Sequence, residues 1–189
     1  RVLFRSEGKY LERYSIKKEL FLEYNTERCP SRLVRPTFPE LYLPKKLLLS
    51  RQKKIAAFSE KSHYCDNTII MAIPVFELNK VTNNSIKKYF KNINKDREII
   101  EKNSQSYNLH YLLSLINSKL ISFHIKYASK GSLDFYPDDW KEIPIFKAND
   151  VQQHKLSELS KLRINQENQL NNISNNILNL IKSKFEVFS

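Results

Sequence analysis

Glycine is nearly missing: Gly8 and Gly131 are the two in 189 residues. A dinucleotide-binding fingerprint and a P-loop each need several glycines within a few residues, so both are excluded. The same shortage argues against the nucleotide or S-adenosylmethionine cradle of a Rossmann-type enzyme. Cysteine is equally scarce. Cys29 and Cys65 make no disulfide framework, which points to a reducing cytoplasm. No apolar run reaches the ~18 residues of a membrane span, and no signal peptide is visible. The chain opens on Arg1 instead of Met, and we read it as a fragment of a longer protein.

Positive charge is abundant. There are 32 Lys+Arg against 20 Asp+Glu, a net charge of +12. An excess of this size favours polyanions, nucleic acid first and an anionic membrane surface second. The excess is uneven: residues 1–100 carry 21 Lys+Arg and 11 Asp+Glu, net +10, and the remainder net +2. The basic surface therefore belongs to the first half.

Residues 14–24 alternate, with Tyr14, Ile16, Leu20, Leu22 and Tyr24 on one parity, as a strand or tight strand pair with one buried face does. Four prolines between 28 and 44 predict an extended loop. Lys46–Ser50, Ile55–Ser59 and Thr68–Ile73 are short apolar runs and read as strands, with a turn at Asp66-Asn67. Beyond residue 74 the period changes. Residues 84–93 predict a short basic helix. Residues 108–127, with Leu109, Leu112, Leu113, Ile116, Leu120, Ile121 and Phe123 at helical spacing, predict a buried one started by Asn108 or Ser106. Residues 129–146 read as loop and short strand. The last and longest helix covers 151–184, with Asp150 and Gln153 as its start signal. Its seam of Leu156, Leu159, Leu170, Ile173, Ile177 and Leu180 is interrupted at Arg163 and Gln166. The expected fold is α+β: a β-rich domain over 1–147 holding the 108–127 helix, and a C-terminal helical segment over 148–189 that serves as spacer or docking helix.

Two clusters invite a catalytic reading. Pro137-Asp138 with Asp139-Trp140-Lys141 has the residues of a PD…(D/E)xK nuclease site, where two acids and a lysine converge on a divalent cation and a water. Such acids sit on adjacent strands; contiguous ones on one strand point to opposite faces, so an acidic turn is the expectation. His63-Tyr64-Cys65-Asp66 lacks CxxC or HxxxH spacing and reads as a polar hairpin edge. We assign no catalytic residue and no metal ligand.

The basic residues carry more information. Lys45, Lys46, Arg51, Gln52, Lys53 and Lys54 flank one strand and the turn after it; Arg32 and Arg35 precede them and Lys61 follows. Arg and Gln bond base edges, whereas Lys neutralises phosphate. Lys46 is expected on the backbone, Arg51 and Gln52 on bases. Lys87, Lys88 and Lys91, beside Tyr89 and Phe90, form a second group.

The order of segments resembles a known family. Pro44-Lys45-Lys46-Leu47-Leu48-Leu49-Ser50-Arg51, then Asp66-Asn67-Thr68 with Ile69–Pro74, then Tyr111-Leu112-Leu113-Ser114-Leu115-Ile116-Asn117-Ser118-Lys119-Leu120, then Trp140-Lys141-Glu142-Ile143-Pro144-Ile145 are similar to successive motifs of the TaqI-like C-terminal specificity domain. The likeness covers about residues 10–147. It implies a target-recognition domain of type II or IIG restriction-modification DNA adenine-N6 methyltransferases. Its partners would be double-stranded DNA and a methyltransferase or endonuclease domain, in cis or as a subunit, in a prokaryotic cytoplasm and away from membranes. The family's Asn/Asp-Pro-Pro-Tyr/Phe tetrapeptide is absent, so no catalytic role transfers. This chain would hold no cofactor, while the parent enzyme would use S-adenosylmethionine, and Mg if it cleaves. Ile143-Pro144 followed by Gln152-Gln153 also resembles the junction into the spacer helix of type I specificity subunits, which makes half of such a subunit the alternative parent. A small metal-dependent nuclease is the remaining alternative.

Overall fold

The computed structural model describes residues 2–23, 27, 38–93, 95–128 and 133–185. The chain is α+β. Among the described residues eight short strands come first: β1 Val2–Ser6, β2 Leu11–Glu12, β3 Ser15–Ile16, β4 Leu20–Glu23, β5 Lys46–Ser50, β6 Ala56–Ser59, β7 His63–Cys65 and β8 Ile69–Ala72. Six helices follow: α1 Asn84–Ile93, α2 Arg97–Gln105, α3 Leu109–Ile116, α4 Lys119–Ala128, α5 Pro137–Lys141 and α6 Asp150–Phe185.

The alternation over 14–24 is divided between two sheets. β3 pairs with β2, while β4 pairs antiparallel with β1, which in turn runs parallel to β7. The third sheet has the order β6-β5-β8, all antiparallel. Its centre, β5, is buried at all five positions, which is why Lys46–Ser50 reads as a continuous apolar run and not as an alternation. Leu47 and Leu49 pack with Leu113 and Ile116 of α3 on one side. Leu48 packs with Leu11, Ala57 and Ile69 on the other. Gly8 earns its place here. Its N–H donates to Thr68 Oγ1 at 2.8 Å, and a Cβ on it would fall 2.5 Å from that oxygen.

The single helix predicted over 108–127 is two. Asn108 does cap the first, accepting from the His110 N–H, but α3 ends at Ile116 and α4 starts at Lys119. Asn117 caps the end of α3, and its carboxamide reaches β6. Its Oδ1 accepts from the Ala56 N–H at 3.0 Å and its Nδ2 donates to the Ala56 carbonyl at 2.9 Å, an oxygen that also accepts from the Tyr14 N–H on the open side of β6. Ser118 Oγ then accepts from the Ile121 N–H and starts α4. The break shifts the helical phase. Ile121 and Ile125 are buried with Phe135 and Ile143, while Leu120 and Phe123, expected on the buried stripe, face water. Asn117→Ala leaves the Ala56 N–H without its partner in a buried site. We expect a loss of about 1–3 kcal/mol, read from urea unfolding, and Asn117→Asp to recover little.

Two boundaries near the C-terminus also differ from expectation. Residues 137–141, expected as an acidic turn within loop and short strand, form a short helical turn, with Pro137 in its first turn and the Asp139 carboxylate accepting from the Tyr136 N–H. The start of α6 is set by Asn149 and Gln152, whose side chains bond each other's backbone N–H reciprocally, and not by Asp150 with Gln153. Gln153 is buried instead. It accepts from the Asn108 N–H and donates to the Ser106 and Ala148 carbonyls, fixing α6 to the start of α3. No helix among the described residues is long and apolar enough to cross a membrane.

Candidate nucleic-acid interface

In the basic string around β5, Lys46 is buried and Arg51 and Lys54 are half-buried, while Lys53 and Lys61, though exposed, are paired with acids. Lys46 is expected on DNA backbone, but β5 is a central strand covered on both faces and has no solvent side. Its side chain is fully buried, and its ammonium donates to the carbonyls of Tyr42, Leu43 and Lys61 at 2.7, 2.6 and 3.0 Å. Burial pulls its pKa down to about 8. The assignment of Lys46 to phosphate is therefore corrected: it holds three loop carbonyls.

Arg51 is expected to read bases. Its guanidinium instead donates to the Asn67 carbonyl at 2.6 Å and to Asp134 Oδ2 at 3.0 Å, and it lies 4.4 Å from the centre of the Tyr136 ring. Its backbone carbonyl accepts from the Phe135 N–H. Arg51 thus clamps the turn after β5 to the segment before α5, with both terminal nitrogens of its guanidinium engaged inside the protein. Lys53 donates to the Lys9 and Leu11 carbonyls and pairs with Glu12 at 2.9 Å. Lys54 sits 5.6 Å from the Phe135 ring. Lys61 pairs with Glu19 at 2.8 Å. Gln52 and Lys45 are exposed. Arg32 and Arg35 lie outside the described residues.

The second basic group is arranged differently. The α1 helix is preceded by Asn83, whose Oδ1 accepts from the Ile86 N–H while its Nδ2 donates to Glu40. Ile86 is buried and Phe90 half-buried, with the Arg97 guanidinium 4.9 Å from the Phe90 ring. Arg97 in turn holds the carbonyls of Leu78, Asn79 and Val81. One side of α1 is thus pinned. Helical spacing then turns Lys87, Lys88 and Lys91 to the opposite side together with Asn84, and all four are exposed. None of the three lysines has an ion pair among the described residues. No Asp or Glu occurs from residue 80 to 95, against five lysines. Asn84, Asn92 and Tyr89 are exposed beside these cations, and of the three only Asn92 was not singled out from the sequence. No local signal separates the two groups: residues 41–59 also hold no Asp or Glu against five Lys and Arg, and the acids that engage the first group, Glu12, Glu19 and Asp134, come from distant segments.

The cluster Asp138, Asp139 and Lys141 does not converge on an ion. Asp138 pairs with Lys141 across one turn at 2.7 Å, and Asp139 is engaged in its own helix start. Among the described residues no group of three or more His, Cys, Asp or Glu side chains is placed to hold a metal. We expect Asp138→Ala to leave duplex binding unchanged and plasmid DNA to stay uncut in Mg; nicking that disappears in Asp138→Ala would reverse the assignment.

His63 is buried between Ser59 Oγ at 2.7 Å and Glu19 Oε1 at 3.3 Å. Burial lowers its pKa, which Glu19 resists and Lys46 and Lys61 assist. Burial lowers that of His110 as well, helped by Lys161. Below about pH 6.5 the unfolded chain takes up protons that these two rings resist, so stability should fall as the pH is lowered from there. Urea midpoints at successive pH values check this; a rise on acidification would contradict it.

No family model matches the chain, and no curated protein matches it.

Proposed function

We propose that this chain is a DNA target-recognition module that directs an adenine-N6 methyltransferase, with or without an endonuclease, to its site. The observation that carries the reading is the exposed, acid-free cationic side of α1, anchored on its other side by Ile86 and Phe90. A ten-residue helix is about 15 Å long, and a B-DNA major groove of about 12 Å admits one. Lys87, Lys88 and Lys91 would neutralise phosphates along the groove walls. Asn84 and Asn92 carry carboxamides of the kind that bond adenine bidentately. Gln52 and Lys45 would supply further contacts from the sheet.

The restriction-modification parent rests on the sequence resemblance alone. S-adenosylmethionine, and Mg if the parent cleaves, would belong to the partner domain, as would extrusion of the target adenine. A prokaryotic cytoplasm follows from that parent.

The test is duplex binding by this chain as a function of salt. Logarithmic affinity should fall linearly with logarithmic salt as counterions leave the DNA, with little sequence preference in the absence of the methyltransferase. Affinity that ignores salt would remove the reading.

A further inference from the structure

The α4 helix is fixed on one side only. Ile121 and Ile125 are buried against Phe135 and Ile143. The opposite side carries Leu120, Phe123 and Tyr127, 73, 61 and 64 % exposed, together with exposed Lys119 and Lys126. At roughly 100° per residue these five fall within about a third of a turn, in the order Lys126, Lys119, Phe123, Tyr127, Leu120. Cations therefore occupy one edge of this side and apolar groups the other. The Phe123 and Tyr127 rings touch, with centroids 4.5 Å apart and planes tilted by 44°. Lys126 Nζ lies 5.2 Å from the centre of the Tyr127 ring. A third cation joins the charged edge. Exposed Arg13, from the turn between β2 and β3, donates to Ser122 Oγ at 3.1 Å. None of Arg13, Lys119 and Lys126 has an ion pair among the described residues.

We propose that this side of α4 binds an unpaired DNA strand, with bases stacked on Phe123 and Tyr127 and phosphates carried along Arg13, Lys126 and Lys119. Exposed aromatic rings beside a cationic track are how proteins hold single strands, because every base offers a ring face. A duplex stacks its bases on one another and leaves no such face along its length, so this site differs in ligand from the one on α1. A bilayer fits less well. With half of α4 locked against Phe135 and Ile143, only three apolar side chains of the helix could enter it. Even a whole myristoyl chain binds membranes only marginally. A protein partner would have to cover lysines, which protein interfaces avoid. The stacking geometry stands apart from the reading of α1, while the choice of DNA over RNA rests on that reading.

Fluorescence anisotropy of the full chain with a labelled oligothymidine of about twelve nucleotides tests it, beside a duplex and an oligouridine of the same length. Phe123→Ala combined with Tyr127→Ala should weaken oligothymidine binding by about tenfold or more, and Phe123→Trp should retain it. Lys119→Ala combined with Lys126→Ala should flatten the single-strand salt slope by roughly 1 to 1.5. Both double variants should keep the native urea midpoint, since these side chains are exposed, and should leave duplex binding nearly unchanged. Illumination of a strand carrying 5-iodouracil should cross-link it to Phe123 or Tyr127. Failure of the chain to bind oligothymidine, or native binding by the double aromatic variant, overturns the proposal. Tighter binding of oligouridine overturns the choice of DNA. Sedimentation with phosphatidylserine vesicles that needs these two rings, when oligothymidine binding does not, overturns the proposal in favour of a membrane surface. Failure of the α1 reading would show in the duplex arm, and failure of this one in the single-strand arm.

Discussion

Lys46→Ala should unfold the protein more easily by about 2–4 kcal/mol without acting on DNA contacts directly. The substitution empties a fully buried site on the central strand and leaves the carbonyls of Tyr42, Leu43 and Lys61 without their common donor. Lys46→Met, which refills the volume, should recover part of the loss, because only the carbonyls then remain unpartnered. A pH signature separates this from simple cavity formation. In the folded protein the ammonium loses its proton near pH 8, whereas in the unfolded chain it keeps it to about 10.4. Between those values the unfolded state binds more protons at Lys46, so Lys46 should add stability as the pH rises from about 8 to about 9; above that the Cys65 thiol, pushed up to about 12 by burial, opposes it. That gain should vanish in Lys46→Met. Urea midpoints across this range measure it. A Lys46→Ala protein of native stability that binds duplex poorly would return Lys46 to the phosphate role.

Replacing Lys87, Lys88 and Lys91 together by alanine should weaken duplex binding on the order of a hundredfold at low salt and flatten the salt slope by roughly 2 to 3. The three lysines lie on the exposed side of α1 and touch nothing in the core, so unfolding should change by no more than about 0.5 kcal/mol. Arg51→Ala should do the opposite. Its guanidinium joins the Asn67 carbonyl, Asp134 and Tyr136, so the cost falls on stability, and any loss of binding should be equal for all sequences. Fluorescence anisotropy at several salt concentrations, with unfolding curves on the same samples, distinguishes the two. If the triple variant keeps the native salt slope, α1 is not the DNA face and Gln52 with Lys45 becomes the next candidate.

The strands of the third sheet, α1, and the long C-terminal helix were legible from periodicity because each depends on a pattern within one segment. The division of 108–127 into α3 and α4 was not. Apolar spacing continues across Asn117 and Ser118, and nothing local says that the Asn117 carboxamide must reach Ala56, 61 residues away. The seam of α6 was legible as a heptad pattern, but which side of the helix meets this domain was not. The contact with α3 selects small residues, Ser157 and Ser160, over large ones. The nuclease-like cluster dissolved for a related reason: adjacent acids on a helical turn serve the helix start and an i,i+3 pair before they can share an ion.

The sequence by itself determined the class of the chain. Its glycine shortage excluded nucleotide cradles, its charge pointed to a polyanion, and its periodicities placed strands before helices. Only the tertiary structure decided which of two similar basic groups is available. Whether a lysine faces water depends on how many layers cover its strand. Covering layers come from segments distant in the chain, so a lysine that opens a central strand is driven inward to carbonyls, while one on the far side of an anchored helix is left to solvent.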